Sequence, residues 1–67
     1  SGKKEDKESI MRMIAQCLPG VGMEKAAKIA ERFPNLKSLV TASVEDLKEV
    51  EGVGDKIAKQ IYEVLNQ

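Results

Sequence analysis

Two short runs, Gly20-Val21-Gly22 and Gly52-Val53-Gly54, hold the residues whose types and spacing can do chemistry in this sequence. A Gly-apolar-Gly turn that opens a helix presents backbone amides with no intrahelical acceptor, and the helix dipole adds partial positive charge at the same end. Such a tip can hold an oxyanion, because glycine puts no β-carbon between an incoming oxygen and the amides near Gly22 or Gly54. Val21 and Val53 are expected to turn inward between the two helices of their hairpin, and the small Ala26 and Ala58 to let those helices cross closely. Met23 follows the first turn. Lys25 and Lys28 after the first turn, with Lys56 and Lys59 after the second, are placed to add charge-assisted contacts. The candidate binding residues are therefore Gly20, Val21, Gly22, Met23, Lys25 and Lys28, and Gly52, Val53, Gly54, Lys56 and Lys59. Glu24 and Asp55 stand in the same first turns and count against an anion. Acidic residues there also favour the dipole by about 0.3–1 kcal/mol each, so helix stability alone accounts for them. The first turn is expected to be the better site, because Asp55 follows the second glycine pair directly.

Helices must position these turns. Ile10, Met13, Ile14 and Cys17 follow helical spacing, which predicts a first helix over about 8–17 with Asp6 or Ser9 as its cap. With Met11, that apolar arc spans about 160° of a helical wheel, wider than the ~100° a core needs. The first turn, 18–22, is forced by Pro19 and its glycines. A second helix carries Ala26, Ala27, Ile29, Ala30 and Phe33 up to Pro34, and Asn35 is placed to cap a connecting helix over 35–41. Ser43-Val44-Glu45-Asp46 has the form of a capping box and opens a fourth helix. The second turn, 50–54, then leads into a last helix marked by Ile57, Ala58, Ile61, Val64 and Leu65. No segment alternates like a strand. Residues 18–33 laid on 50–65 reveal an internal repeat: Gly20, Val21, Gly22, Ala26, Ile29 and Glu31 match Gly52, Val53, Gly54, Ala58, Ile61 and Glu63. Upstream the likeness fades, since Ile14 falls opposite Asp46, and the first helices of the two units are expected to pack differently.

The 67 residues bound one all-α domain of five short helices over 9–67, preceded by a disordered leader over 1–8 that has no large apolar side chain. Eleven basic residues balance eleven acidic ones, which argues against bulk positive charge as the means of gripping a partner. A single cysteine and no histidine exclude an internal disulfide and a zinc cluster. Cys17 is expected to be a small buried hydrophobe, since no histidine exists to activate it. No acid, base or metal constellation suggests an enzyme, and no cofactor or small-molecule substrate is expected. No stretch approaches the roughly 20 apolar residues of a membrane span, and an intracellular location is expected: the nucleus in a eukaryote, the cytoplasm or nucleoid otherwise.

Leu18-Pro19-Gly20-Val21-Gly22 with Ala26, and Val50-Glu51-Gly52-Val53-Gly54 with Ala58, resemble paired helix-hairpin-helix signatures over about residues 9–66. The pair most resembles the C-terminal tandem domain of the XPF/Hef family of structure-specific endonucleases and their inactive partners, with the C-terminal domain of UvrC next. The resemblance implies a DNA repair module that binds branched DNA, junctions or single/double-strand boundaries through phosphates, without reading sequence. In the XPF group it also implies a homodimer or heterodimer with another tandem domain. That family's nuclease motif, an Asp followed by Glu-Arg-Lys and a later Asp, is absent from this sequence. The alternative is a protein-protein dimerisation module whose hairpins are structural, using the broad apolar faces of helix one and of the last helix near Tyr62.

Overall fold

The computed structural model describes residues 6–67, which form five helices: α1 (Lys7–Gln16), α2 (Met23–Arg32), α3 (Leu36–Val40), α4 (Val44–Lys48) and α5 (Asp55–Leu65). The fold is all-α as the sequence pattern requires, with no strand among the described residues. Residues 1–5 of the expected leader lie outside the described residues. Lys7 and Glu8 do not belong to a leader, because they form the first turn of α1 behind the Asp6 cap, whose carboxylate accepts from the Ser9 amide at 3.2 Å.

Local chemistry fixes three of the five helix starts through side chains. Besides Asp6, Asn35 and Ser43 each head a reciprocal capping box. Asn35 Oδ1 accepts from the Ser38 amide at 2.8 Å, Ser43 Oγ accepts from the Asp46 amide at 3.0 Å, and each partner side chain returns a bond to the cap amide. Short helices of five residues are marginal on their own, so these caps and the core hold α3 and α4 in place.

The core is a single cluster to which every helix contributes. Ala15, Ile29, Leu39, Leu47, Ala58 and Ile61 have no exposed surface, and Leu18, Val21, Phe33, Val50 and Val53 close it around the turns. No polar or charged side chain is buried among the described residues. The buried stripe of α1 is Met11 and Ala15, continued by Leu18 just past the helix end and with Ile14 packed at its edge, one position round from the stripe read off the sequence. Ile10 (53% exposed) and Met13 (65% exposed) therefore look outward, as do Val64 and Cys17. Cys17 is thus no core residue. It is the C-cap of α1, and its thiol donates to the Met13 carbonyl at 3.6 Å.

Candidate functional site

The two glycine turns are built by one hydrogen-bond scheme. The amides of Cys17, Leu18 and Val21 donate to Ile14, Ala15 and Leu18, and those of Glu49, Val50 and Val53 donate to Asp46, Leu47 and Val50, all at 3.0–3.2 Å. Every member of the second set lies 32 residues after its counterpart in the first. The backbone repeat therefore extends upstream to Ile14 and Asp46, where the side chains no longer match. What differs between the units is length, ten residues in α1 against five in α4.

Within each turn the two glycines have different reasons to be glycine. Gly20 and Gly52 sit at φ +73° and +91°, the left-handed region that L side chains rarely adopt. They also face the other unit: a β-carbon on Gly20 would stand 3.3 Å from Ile57, and one on Gly52 3.3 Å from the Lys25 stem. Ile57 and Lys25 are equivalent positions of the repeat, so the two hairpins pack across an approximate twofold. Gly22 and Gly54 are instead in extended backbone open to any residue, and a β-carbon on either would meet nothing within 4 Å. The fold itself has no steric need for glycine there.

Gly22 and Gly54 are the N-caps of α2 and α5, and neither helix start receives a side-chain cap. The first intrahelical bonds run from Ala26 to the Gly22 carbonyl and from Ala58 to the Gly54 carbonyl, both 2.9 Å. The amides before them, Met23 to Lys25 and Asp55 to Ile57, have no protein acceptor among the described residues. Val21 and Val53 are buried behind these tips as expected, and Ala26 and Ala58 are buried in the helix crossings. Two bare donor clusters thus contrast with three capped ones in the same chain.

The charged side chains fall into two groups. An open groove of about 480 Å³ is lined by Gly22, Met23, Glu24, Lys25 and Lys28 from the first unit and by Glu51 and Gly52 from the second. Met23 is 76% exposed at its edge, Lys25 lays its stem against Gly52, and Lys28 Nζ donates to Glu51 Oε1 at 3.1 Å. Gly54, Lys56 and Lys59 lie outside that groove, at the second tip. Lys59 pairs with Asp55 at 3.2 Å, Lys48 reaches the same carboxylate at 3.5 Å, and the Lys59 hydrogen bond holds Asp55 below the ordinary aspartate range. Lys48 and Glu51 were missed from sequence, because neither has a counterpart of like charge in the repeat: Gln16 and Pro19 occupy those positions. No cluster of potential metal ligands occurs among the described residues, and no helix there is long and apolar enough to cross a membrane. The arrangement can hold oxyanions at two helix tips.

Residues 12–67 match the family model described as the helix-hairpin-helix motif. A DNA ligase of Chlamydia caviae is 39% identical over 97% of this chain, and a UvrABC system protein C of Neisseria meningitidis serogroup A is 38% identical over 96% of it. A UvrABC system protein C of Dictyoglomus thermophilum is 47% identical over 67% of the chain. The chain spans about a tenth of the length of these relatives: 10%, 10% and 8% respectively. No solved structure matches significantly. The matches bear out the helix-hairpin-helix resemblance, with segments of UvrC and of DNA ligase alike as relatives, and they lend no support to the XPF/Hef assignment.

Proposed function

This chain belongs to the helix-hairpin-helix family, and from that premise we propose that it is a DNA-binding module that grips backbone phosphates with its two hairpin tips. The observation that carries this reading is the pair of uncapped helix starts at Gly22 and Gly54, where the fold leaves glycine without steric cause and three amides without an acceptor. A phosphate satisfies those amides and meets the positive end of each helix dipole. Main-chain donors aimed at phosphates read no base edge, so the binding is independent of sequence. The approximate twofold that packs Gly20 on Ile57 and Gly52 on Lys25 fixes the two tips relative to each other, which favours DNA whose phosphates match that spacing, such as junctions or strand boundaries. Met23 at the groove edge offers an apolar contact to a sugar.

The relatives are named as a DNA ligase and a UvrABC system component, which supports a place in DNA repair or ligation. In such a protein this segment supplies binding rather than chemistry, and works where the DNA is, in the cytoplasm or nucleoid of a bacterial cell. The test is a titration with forked, duplex and single-stranded DNA at two salt concentrations, followed by amide shifts. Shifts should cluster at residues 20–28 and 52–59. If each hairpin neutralises about two phosphates, the log-log salt slope is near −3.6, with dissociation constants around 10⁻⁴ to 10⁻⁶ M. Shifts that avoid both turns would refute the reading.

Self-association is the second reading, and one observation favours it. Ile10, Ile14, Pro34 and Leu36 line an apolar hollow at the α1 and α3 surface, with Ile10 and Leu36 half exposed. Sedimentation equilibrium decides: a dimer that shows no DNA affinity supports this alternative, and a monomer that binds DNA supports the first.

A further inference from the structure

We propose that Lys48, at the end of α4, belongs to the anion site of the second hairpin together with Lys56 and Lys59, and that Asp55 occupies this site as an internal competitor for phosphate. This rests on the phosphate-binding reading of the hairpins and deepens it. The two oxygens of Asp55 each hold one ammonium: Oδ1 lies 3.5 Å from Lys48 Nζ and Oδ2 lies 3.2 Å from Lys59 Nζ. Lysines from two helices converging on one oxyanion beside an uncapped glycine is the arrangement a phosphate oxygen needs, with a carboxylate standing in its place. Lys56 makes no ion pair with any described residue. Two lysines thus hold one aspartate at the second tip, and a third, Lys56, follows that aspartate in the chain.

The first hairpin has no such set. The positions equivalent to Lys48, Asp55, Lys56 and Lys59 are Gln16, Met23, Glu24 and Ala27, and its own Lys28 is held by Glu51 at 3.1 Å. By formal charge the second tip sets three lysines against Asp55, whereas the first sets Lys25 and Lys28 against Glu24 and Glu51, so the second is the more basic of the two. Asp55 partly cancels that advantage. Its oxygens are exposed and its partners are flexible lysines, so an arriving phosphate can take over both ammonium groups while the carboxylate swings into water. An aspartate is ionised at neutral pH, and the Lys59 hydrogen bond only lowers its titration further, so the competition operates throughout the physiological range.

The test measures binding of a short DNA duplex by fluorescence anisotropy, at two salt concentrations, for the chain and for Asp55→Asn, Lys48→Gln and the double variant, with circular dichroism confirming each fold. Asp55→Asn should tighten binding about fivefold, the Boltzmann weight of one unit-charge contact at 4 Å in water, and steepen its salt dependence. Lys48→Gln should weaken binding, and should remove most of the gain when combined with Asp55→Asn. Asp55→Ser, which also deletes the charge, must act in the same direction. Unchanged or weaker binding by a folded Asp55→Asn variant, or indifference to Lys48→Gln, overturns the inference. The hairpin reading survives that outcome as long as the unsubstituted chain binds DNA; only a chain that fails to bind at low salt sinks both.

Discussion

Replacing Gly22 by serine should separate binding from folding, because the two respond with opposite signs. Gly22 lies at φ −97° and ψ −165°, which serine adopts without strain, and its β-carbon would point into open space. The hydroxyl would accept from one of the first amides of α2 and cap the helix as Ser43 caps α4. Serine exceeds glycine as a cap by only a few tenths of a kcal/mol, which in a chain of this size raises Tm by about 1–3 °C. That same hydroxyl consumes a donor and places an atom where a phosphate would sit. A hydrogen bond to a charged group is worth about 1.5–3 kcal/mol, so DNA affinity should fall at least tenfold, with the salt slope shallower by about 0.9 if one phosphate contact is lost. Thermal melts give the first quantity and anisotropy titrations at several salt concentrations the second. Gly20→Ala is the mirror control. At φ +73° and 3.3 Å from Ile57 it costs about 1–2 kcal/mol of strain and lowers Tm by roughly 4–16 °C, while the folded fraction still presents free amides. A Gly22→Ser variant that binds DNA as tightly as the unsubstituted chain refutes the assignment of those amides to phosphate.

Other consequences follow from the same structure. Leu47→Ala empties a fully buried position and should cost about 2–5 kcal/mol, a large share of the roughly 3–10 kcal/mol available to so small a domain, as read by thermal melts followed by circular dichroism. Ser43→Ala removes one half of a capping box and should lower stability by about 1 kcal/mol, measured in urea. Asp46 is held below its ordinary value of 3.8, chiefly by the Ser43 amide, and Asp55 is held below it by Lys59; carboxylates depressed in the folded state stabilise it fully above that value. Melting temperature should therefore stay level from neutral pH down to the upper edge of the carboxylate range and decline as pH drops through the two lowered values. A Tm that rises on that acidification would contradict both assignments. Arg32→Ala breaks exposed ion pairs to Glu49 and Asp46 and should cost less than about 1 kcal/mol in a denaturant titration, since such pairs are weak in water.

Local rules carried the sequence a long way. The glycine pairs, the proline stops and the Asn35 and Ser43 caps are short-range devices, and each appears where the residue types demand it. The repeat predicted both turns, and the backbone obeys it even at Ile14 and Asp46, where side-chain comparison had stopped. Helix α1 exposed the limit of periodicity. Its apolar residues are numerous enough to form two overlapping stripes, and only the partner surface selects Met11, Ala15 and Leu18 over Ile10, Met13 and Cys17. Electrostatic partners were the least legible part of the site. Lys28 meets Glu51 across 23 residues and Arg32 meets Glu49 across 17, distances at which sequence spacing holds no information about contact.

Zero net charge and phosphate binding are compatible because charge acts locally. Screening at physiological salt limits each exposed charge to about 8 Å, so a tip responds to its own surroundings rather than to the chain's total. Much of the acidic complement near the hairpins is already engaged: Glu51 by Lys28, Glu49 and Asp46 by Arg32, and Asp55 by two lysines. What remains for an incoming backbone is two clusters of fixed amide dipoles, whose orientation is set by buried valines and needs no reorganisation on binding. In the proposed reading such a module gains little from long-range attraction and binds weakly by itself. Carried beside other DNA-contacting segments it would act at high effective concentration, where weak but geometrically fixed contacts suffice for positioning.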